Sequence, residues 1–476
     1  MRTVPLAAAP LSAALLAAAL PFAAFLVQAA DDPWHGRARA LYEHAIEVPT
    51  VAGRGKVPEL AQYLADQYRA AGWADADIHV MPYDATPENH TAALIVRWPA
   101  AGRPKAKPVL LMAHMDVVEA KPEDWSLDPF TLTERDGYFY GRGTSDDKMG
   151  VVAVTTALLK LKAEGFRPKR DLIVFFTGDE ETTGIGALKG ATEWRALTDA
   201  EYGLNADGGG GGFAADGKPI GFTFQTAEKT YADYAFTAHN PGGHSSKPRP
   251  DNAIYELSDA LARLSHYRFE PKLNDTTRAY FDVRQRSEPG ALGDAMRAWL
   301  KDPADGAAAD AIEADIGEVG LTRTRCVATM LAGGHAPNAL PQMARATVNC
   351  RILPGVSPDA IRDELQAIAG DRVEVTRLDK EQASLASPLR ADLLKVYADS
   401  VHAMFPGAPI LPEMSTGASD ARPFRVHGLP VYGVDGSWGV VPEDMRAHGR
   451  DERLPVKALA DDVDHWVRML RAVAAP

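Results

Sequence analysis

Two short, uninterrupted apolar runs limit the fold of this 476-residue chain more than any other feature of its sequence. The runs Val109–Ala113 and Leu172–Phe176 have the length and composition of strands that are buried on both faces of a sheet. Between them, Val151–Ala163 carries apolar residues at helical spacing. A helix between two such strands is typical of parallel pairing, so the pattern predicts an α/β sheet that is covered by helices on both faces.

The remaining periodic segments divide the chain into a large α/β domain and a smaller domain inserted into it. Further elements of the large domain are expected at Leu60–Gly72, Ile185–Leu197, Tyr202–Ala206, Leu389–Met404 and Val431–Val434. Between Tyr202–Ala206 and Leu389–Met404 comes a series of elements in the order β-α-β-β-α-β. These elements are Tyr231–Ala238, Asn252–Leu264, Cys326–Leu331, Ala344–Ile352, Asp359–Ala369 and Val373–Arg377. This order predicts a ferredoxin-like α+β domain over residues 228–383, between two parts of the large domain at 31–227 and 384–476.

The composition is that of a globular protein, and the charge argues against one class of partner. Hydrophobic residues make up 46% and charged residues 24% of the chain. A net charge of -13 argues against nucleic acid as a partner, because phosphate binding requires basic patches. The length makes two domains the default expectation.

The N-terminus has the features of a secretory signal peptide. Arg2 is followed by an apolar, alanine-rich stretch from Leu6 to Val27, and small residues precede Asp31. We therefore expect residues 1–30 to be removed and the mature protein to be secreted or periplasmic. No second apolar stretch in the sequence approaches the roughly 18 residues needed to span a bilayer, so no membrane span is expected after cleavage.

Residues that can bind metal follow the predicted strands of the large domain. His114 and Asp116 follow the first apolar run, Glu180 and Glu181 follow the second, and Asp207 follows the next predicted strand. Ligands of open α/β sheets bind beyond the carboxyl ends of the strands, and a hydrolytic metal centre requires imidazole and carboxylate groups that converge there. The sequence therefore predicts a two-metal amide hydrolase. Zinc is the expected ion, and cobalt or manganese also suits nitrogen and oxygen ligands.

The spacing of these residues indicates different roles within each pair. His114 and Asp116 are two residues apart, so in an extended segment both side chains point to one face, and the carboxylate can orient the histidine. Glu180 and Glu181 are adjacent and their side chains diverge. One of them can therefore bind metal while the other holds a water molecule as general base.

A two-metal centre also needs a carboxylate that bridges the ions, which would lie about 3.5–4 Å apart. Asp146 or Asp147, in the segment Gly141–Lys148 between the two apolar runs, is the natural source. His448, far downstream, offers a second imidazole.

Together with later motifs, these segments resemble the co-catalytic zinc exopeptidase family that includes glutamate carboxypeptidase, aminoacylase, cytosolic dipeptidases and succinyl-diaminopimelate desuccinylase. The resemblance extends from about Leu60 to Leu470 and rests on the ordered series of motifs rather than on any one of them. The series comprises His114-Met115-Asp116, Trp125 with Asp128-Pro129-Phe130, Tyr140–Gly143, Asp146-Asp147-Lys148, Asp179-Glu180-Glu181, Gly242–Ser246, Asn338–Pro341 with Arg351, Gly417–Ala421 and His448.

The resemblance implies a zinc-exopeptidase-like, three-layer α/β/α catalytic domain whose inserted domain acts as a lid and a dimerisation surface. It implies that Asp146 bridges two metal ions and precedes a cis peptide bond. Glu180 would be the general base, and Asp116 would be the partner of His114. The implied metal ligands are His114, Asp146 and Asp207 for one ion, and Asp146, Glu181 and His448 for the other.

The resemblance also assigns four residues to substrate binding: His244, Asn338, Arg351 and Gly417. His244 would help to stabilise the oxyanion, often across the interface of a homodimer. Asn338, Arg351 and the backbone around Gly417 would hold the substrate. Arg351 suits a substrate carboxylate, because bidentate pairing gives orientation as well as energy.

The expected function is that of a secreted exopeptidase, a dipeptidase or carboxypeptidase for small peptides with a free C-terminus. Asp207 stands where the carboxypeptidase and deacylase branches of the family usually show glutamate, which favours dipeptidase-like chemistry. Hydrolysis of N-acyl amino acids, as in aminoacylase, is the alternative. A non-catalytic binding protein of the same fold is a further alternative, although the complete ligand set with Glu180 argues against it.

Two short motifs suggest other functions but lack the context that these would need. Ser145–Lys148 matches the S-x-x-K pattern of penicillin-binding serine hydrolases, but the chain has no Lys-Thr-Gly partner. Gly208–Gly212 is not a phosphate-binding loop, because no helix with Lys-Ser or Lys-Thr follows it. This run instead predicts a loop that approaches the metals or bends tightly.

The two cysteines, Cys326 and Cys350, are too few for a disulfide-stapled scaffold or a structural zinc site. If the hairpin that joins their strands is centred near Asn338, the two residues are equally far from its turn and lie opposite each other. An oxidising periplasm permits a disulfide bond at such a position. We therefore predict a cross-strand disulfide.

Overall fold

The computed structural model describes residues 32–380 and 382–475. The predicted signal peptide at residues 1–30 lies outside these ranges and stays a prediction. Within the described ranges, no helix is both long enough and apolar enough to cross a membrane.

The described part of the chain alternates strands and helices, as the apolar pattern predicts. The strands are β1 (Ile78–Thr86), β2 (Asn89–Trp98), β3 (Val109–His114), β4 (Thr133–Arg135), β5 (Tyr138–Tyr140), β6 (Leu172–Thr177), β7 (Tyr202–Phe213), β8 (Pro219–Glu228), β9 (Thr230–His239), β10 (Gly243–His244), β11 (Arg325–Gly333), β12 (Ala339–Leu340), β13 (Met343–Ile352), β14 (Val373–Arg377), β15 (Ile410–Ser415), β16 (Val431–Val440) and β17 (Arg453–Pro455). The helices are α1 (Pro33–Glu47), α2 (Val57–Ala70), α3 (Lys148–Ala163), α4 (Ile185–Ala191), α5 (Arg195–Thr198), α6 (Ala253–His266), α7 (Asp275–Arg284), α8 (Gly290–Lys301), α9 (Gly306–Glu313), α10 (Pro358–Ala369), α11 (Ala391–Met404), α12 (Ala421–Val426) and α13 (Val456–Val473).

A mixed eight-stranded sheet forms the centre of the large domain, in the order β1-β2-β6-β3-β7-β16-β8-β15. Its central strands β6, β3, β7 and β16 are parallel to one another. Side chains alternate between the two faces. Leu111 and Val174 share a core with α1, α2, α3, α11 and α13, whereas Leu110 and Ile173 share a core with α4 and α12. The fold is therefore the predicted three-layer α/β/α arrangement.

The order of the central strands explains why polar residues that are distant in sequence meet. Strands β6, β3 and β7 are parallel neighbours, so their carboxyl ends point to the same edge of the sheet. His114 is the last residue of β3, Glu180 and Glu181 follow β6, and Asp207 lies in β7. This edge gathers side chains from three separate segments, as expected for the ligand site of an α/β sheet.

The glycine run at 208–212 is part of strand β7, so the expectation of a loop there is wrong. Its glycines pair with β16 on one side and with β8 on the other. The reason is steric: a Cβ atom at Gly211 would lie 2.4 Å from the ring of Phe222, and one at Gly209 would lie 2.8 Å from the backbone nitrogen of Asp435. Residues without a side chain allow the three strands to approach this closely.

The single helix expected over Ile185–Leu197 is divided into α4 and α5. Thr192 leaves the helical conformation, and its hydroxyl donates to the carbonyl of Leu188 at 2.6 Å. Trp194 then places its ring against that of Tyr83. A local side-chain hydrogen bond and a buried aromatic contact therefore override the helical periodicity of the segment.

The inserted domain contains an antiparallel four-stranded sheet in the order β11-β13-β9-β14. With α6 after β9 and α10 after β13, its elements follow the β-α-β-β-α-β order of a ferredoxin-like domain. Leu257 of α6 and Leu365 of α10 share a core with Phe236 and Val348 of the sheet. Helices α7, α8 and α9, which the sequence pattern did not predict, lie between α6 and β11 and form a separate small core.

Cys326 and Cys350 lie opposite each other in the antiparallel pair β11–β13 and form a disulfide bond. The predicted cross-strand bond is confirmed. Asn338 lies in the connection between the two strands, so the symmetric position of the cysteines about this residue was an informative signal.

Candidate metal centre

The carboxylate of Asp146 lies between the two histidines of the site. Its Oδ1 atom is 2.9 Å from Nε2 of His114, and its Oδ2 atom is 3.2 Å from Nε2 of His448. His114 is buried at the end of β3, whereas His448 lies on a surface loop with its side chain 58% exposed. One carboxylate thus faces an imidazole on each side, the arrangement expected of a ligand that bridges two metal ions.

Two overlapping groups of side chains meet at Asp146. The atoms of His114, Asp146 and Asp207 that can bind metal lie within 4.8 Å of one another, and so do those of Asp146, Glu181 and His448. In the second group, Glu181 Oε2 is 2.9 Å from His448 Nε2. The structure therefore brings together the five residues expected to bind metal, in the two sets that the resemblance implies. Their role as ligands stays a prediction.

The peptide bond that follows Asp146 is cis, as the resemblance implies. Asp147 is fully buried, and its Oδ2 atom accepts a hydrogen bond from the backbone N–H of His114 at 3.3 Å. Of the two candidates for a bridging residue, Asp146 is the one between the histidines, and Asp147 supports the end of β3.

The electrostatics of this group favour the binding of cations. Burial raises the pKa of Asp207 to about 7, and the nearby carboxylate of Asp146 contributes to the shift. Burial and Asp146 likewise raise the pKa of Glu181 to about 7. The hydrogen bond to Asp146 raises the pKa of His448 to about 9. Partly buried acids that lie this close repel one another, and divalent ions would balance their charge.

The donor set fits the ions that the sequence predicts. It consists of two imidazole nitrogens and the oxygens of three carboxylates, which suits zinc and also cobalt or manganese. The sulfur atoms of Cys326 and Cys350 form a disulfide bond with each other and are not part of this donor set.

Asp116 holds the turn that carries the two glutamates. Its carboxylate accepts hydrogen bonds from the backbone N–H groups of Glu180 and Glu181, at 3.1 and 3.0 Å. The Nδ1 atom of His114 is 3.0 Å from the backbone oxygen of Asp116 and 3.6 Å from its carboxylate. The sequence suggested the contact with the histidine but missed the support of the glutamate turn.

Asp179 fixes the same turn from its other side. Its carboxylate accepts hydrogen bonds from the backbone N–H groups of Ile185 and Gly186, at 2.7 and 3.0 Å, and from the hydroxyl of Tyr83 at 2.5 Å. It therefore caps the start of α4, a common role of aspartate at the N-terminal end of a helix. Sequence reasoning placed Asp179 in a motif but gave it no role.

Glu180 lies beside the cluster and has the chemistry of a proton acceptor. Burial raises its pKa well above the ordinary value, Asp207 and Asp420 add to the shift, and His114 opposes it. Cations bound at the cluster would counter these effects and lower the pKa toward a value that suits a general base.

Two side chains of the segment Gly141–Lys148 contact partners that the sequence did not reveal. The hydroxyl of Ser145 donates to the carboxylate of Glu452 at 3.0 Å. The ammonium group of Lys148 is fully buried and donates to the backbone oxygen of Val48 at 2.7 Å. Because Ser145 and Lys148 contact different partners, the arrangement does not support the S-x-x-K hydrolase alternative. Glu452 is a residue of the site that was not predicted from the sequence. Its position shortly after His448 in the sequence was the feature that could have indicated it.

The four predicted substrate-binding residues form two pairs. His244 and Asn338 lie together at the short ladder β10–β12. Arg351 reaches the backbone oxygen of Thr416 at 3.4 Å, next to Gly417. Within residues 32–380 and 382–475, no hydrogen bond or ion pair joins either pair to the five clustered side chains.

Comparison with known proteins identifies the family. Residues 110–472 match the model of peptidase family M20/M25/M40. The chain belongs to this family. Among M20/M25/M40 relatives, it is similar to the N-fatty-acyl-amino acid synthase/hydrolase PM20D1 of Homo sapiens, with 30% identity over 375 residues that cover 76% of this chain and 73% of the relative. It is also similar to aminoacylase-1 of Sus scrofa, with 24% identity over 452 residues that cover 91% of this chain and 95% of the relative.

A solved structure supports the fold. The M20 family metallo-carboxypeptidase Sso-CP2 from Sulfolobus solfataricus aligns with a TM-score of 0.68 and covers 92% of this chain and 99% of that chain. The sequence identity is 17%, so this likeness concerns the fold alone. Membership of M20/M25/M40, together with its hydrolase relatives, makes the protein a metal-dependent hydrolase.

The shared position of Asp146 leads to a prediction about metal content. Asp146→Asn should abolish the binding of both ions, whereas His448→Ala and Asp207→Asn should each remove one, because each of these residues belongs to a single group. Equilibrium dialysis against Zn²⁺ followed by elemental analysis counts the bound ions. Glu313→Gln, which alters a buried carboxylate of the inserted domain, should retain both. Loss of only one ion from Asp146→Asn would contradict the bridging role.

Proposed function

We propose that the protein is an exported two-metal amide hydrolase that releases an amino acid with a free carboxylate from a small substrate. The observation that carries the proposal is the position of Asp146 between His114 and His448, with Glu180 beside the same cluster. A non-catalytic binding protein would not need a proton acceptor at this point. Zinc analysis combined with an amidase assay of the purified protein separates the two alternatives.

N-acyl amino acids and dipeptides are the substrate classes to compare. Both contain an amide bond next to a free carboxylate, and they differ in the acyl half, which carries an amine only in the dipeptide. One relative is named for N-fatty-acyl amino acids and the other is an aminoacylase, which favours N-acyl amino acids for this chain. Dipeptides are the second class, because the family resemblance associates aspartate at the position of Asp207 with dipeptidase-like chemistry.

The reaction adds water to the amide carbon and breaks the carbon–nitrogen bond. Two divalent ions, when bound, would polarise the carbonyl group and lower the pKa of water. Glu180 accepts the proton that the attacking water gives up and passes it to the departing nitrogen. Asp116 keeps Glu180 in position through the backbone hydrogen bond at 3.1 Å.

Replacing Glu180 with glutamine should lower kcat by about 10²–10⁴-fold, because an amide cannot accept and return the proton. The variant keeps the side-chain volume and the backbone bond to Asp116, so its metal content should match that of the wild-type protein. Steady-state kinetics and elemental analysis of the same preparation provide the measurement. A near-normal kcat in a preparation with two bound ions would refute the role of Glu180.

Arg351 is the cation that the proposal assigns to the substrate carboxylate. Its guanidinium group lies 4.8 Å from the ring centre of Tyr231 and reaches the backbone oxygen of Thr416 at 3.4 Å. Among the residues that the structure describes, no carboxylate forms an ion pair with it. Arg351 and Thr416 line a cavity of about 670 Å³, a volume within the usual range for small-molecule sites.

Amidation of the substrate carboxylate should therefore reduce catalysis. We expect a penalty of roughly 2–5 kcal/mol in kcat/KM, as for truncation of a buried charge pair. Arg351→Gln should lower kcat/KM for the free acid by a similar factor and should barely change the rate with the amide. Steady-state kinetics of the wild-type protein and of Arg351→Gln, each with the free acid and with its amide, give the four values needed. Equal wild-type rates with acid and amide would contradict the role of Arg351 in binding the substrate carboxylate.

The inserted domain presents an uncovered sheet edge. Strand β11 lies at the edge of its sheet, and Val327, Met330 and Leu331 on this strand are 60%, 69% and 72% exposed. Exposed apolar edge strands are normally covered by another chain or element. We include in the proposal a homodimer formed through this edge, in which His244 of one subunit acts at the metal centre of the other, as the resemblance implies.

Leu331→Glu should dissociate this dimer, because it places a charge in the proposed apolar contact. Light scattering coupled to size-exclusion chromatography should give the mass of two chains for the wild-type protein and of one chain for the variant. Ile316→Glu is the matched control, since Ile316 is 90% exposed but lies outside the strands of the sheet. A dimer that survives Leu331→Glu, or a monomeric wild-type protein, would contradict the proposed interface.

A further inference from the structure

Two segments that carry predicted metal ligands meet at one side chain. Asp146 belongs to the first segment, and His448 and the fully buried Glu452 belong to the second. The carboxylate of Glu452 accepts hydrogen bonds from five donors of the first segment. These are the backbone N–H groups of Gly143, Ser145 and Asp146 at 3.1, 2.7 and 3.1 Å, the hydroxyl of Ser145 at 3.0 Å and Nη1 of Arg142 at 2.6 Å.

These contacts use the full acceptor capacity of the carboxylate. An ionised carboxylate has two oxygens with about four lone-pair positions, and five donors converge on those of Glu452. The backbone donors lie in a partly or fully buried segment, where an N–H group without a partner is unfavourable. Glu452 therefore defines the path of the backbone from which the side chain of Asp146 projects.

Arg142 connects the same two segments a second time. Its Nη2 atom donates to the backbone oxygen of Gly449 at 3.0 Å, next to His448. His448 has a φ angle of +63°, in the left-handed region that residues with a side chain rarely adopt and that neighbouring contacts must maintain. The guanidinium group of Arg142 also lies 5.1 Å from the ring centre of Trp125, which limits its movement.

We propose that Glu452, together with Arg142, is a positioning residue that sets the separation of Asp146 and His448. The inference rests on the proposed two-metal site. Glu452 acts through the backbone N–H of Asp146, and Arg142 acts through the carbonyl of Gly449. Without this link the two ligands move independently, so the ion that Asp146 and His448 share loses the most affinity.

Glu452→Gln tests the proposal. Glutamine has nearly the same shape, but its NH₂ group donates at a position where the carboxylate oxygen accepts, so several donors of the Asp146 segment lose their acceptor. Loss of a group that orients a metal ligand typically lowers metal affinity by about 10- to 100-fold, and we expect a loss of this size for one of two Co²⁺ ions. Equilibrium dialysis against Co²⁺ measures the affinity, and the visible absorption spectrum of the bound ion reports changes in its ligand geometry.

Glu313→Gln is the matched control for a purely structural effect. Glu313 is a buried carboxylate of the inserted domain that accepts hydrogen bonds from the backbone N–H groups of Gly320 and Thr322, at 2.9 and 3.0 Å. The control should lower the melting temperature and leave the Co²⁺ affinity and spectrum unchanged. If Glu452→Gln also lowers only the melting temperature, the proposal is overturned.

Arg142→Lys keeps the inference testable if Glu452→Gln does not fold. Lysine retains the positive charge beside Glu452 but lacks the fork that also reaches Gly449, so we expect a loss of Co²⁺ affinity near the lower end of the range, about 10-fold. Wild-type Co²⁺ binding by this variant would overturn the proposal. Failure of the proposed two-metal function can be told apart from failure of this inference, because in the first case the wild-type protein itself would bind fewer than two Co²⁺ ions.

Discussion

Mutual repulsion among partly buried carboxylates is the constraint on which the rest of this structure depends. Asp146, Asp207, Glu180 and Glu181 converge at one edge of the central sheet, where burial raises the pKa values of Asp207 and Glu181 to about 7. Like charges interact strongly in a medium of low dielectric constant. The fold must therefore hold these groups against their tendency to separate, and the same repulsion gives the site its attraction for divalent cations.

A second set of acids does the holding, through hydrogen bonds to the backbone. Asp116 accepts the N–H groups of Glu180 and Glu181, and Glu452 accepts that of Asp146. Acids that face the site are thus supported by acids whose carboxylates accept hydrogen bonds from the backbone. Burial raises the pKa of Glu452, and the guanidinium group of Arg142 and the backbone N–H groups of Ser145 and Gly143 oppose that shift.

Elements that depend on residues close in sequence were predicted well, and elements that depend on contacts distant in sequence were missed. Strands β3 and β6 were predicted to within a residue, because a strand that is buried on both faces reads as a continuous apolar run. The strand through Gly208–Gly212 was missed, because the need for glycine comes from the close approach of β16 and β8 rather than from its neighbours in sequence. Helices α7–α9 were missed as well; they pack together around Phe281 and Trp299 in a small core separate from that of the inserted sheet.

The sequence by itself determined the chemical character of the site: histidine and carboxylates after successive strands, in the order of motifs that also identifies the family. It predicted the disulfide through the symmetric spacing of Cys326 and Cys350 about one hairpin. Residue types alone left Asp146 and Asp147 both open, the family resemblance implied Asp146, and the tertiary structure places Asp146 between the histidines. Only the tertiary structure joined Arg142 to Glu452, 310 residues further along the chain. The physical reason is that the apolar pattern that marks most strands and helices is a property of residues close in sequence, whereas a hydrogen bond depends on distances of a few ångströms that folding alone creates.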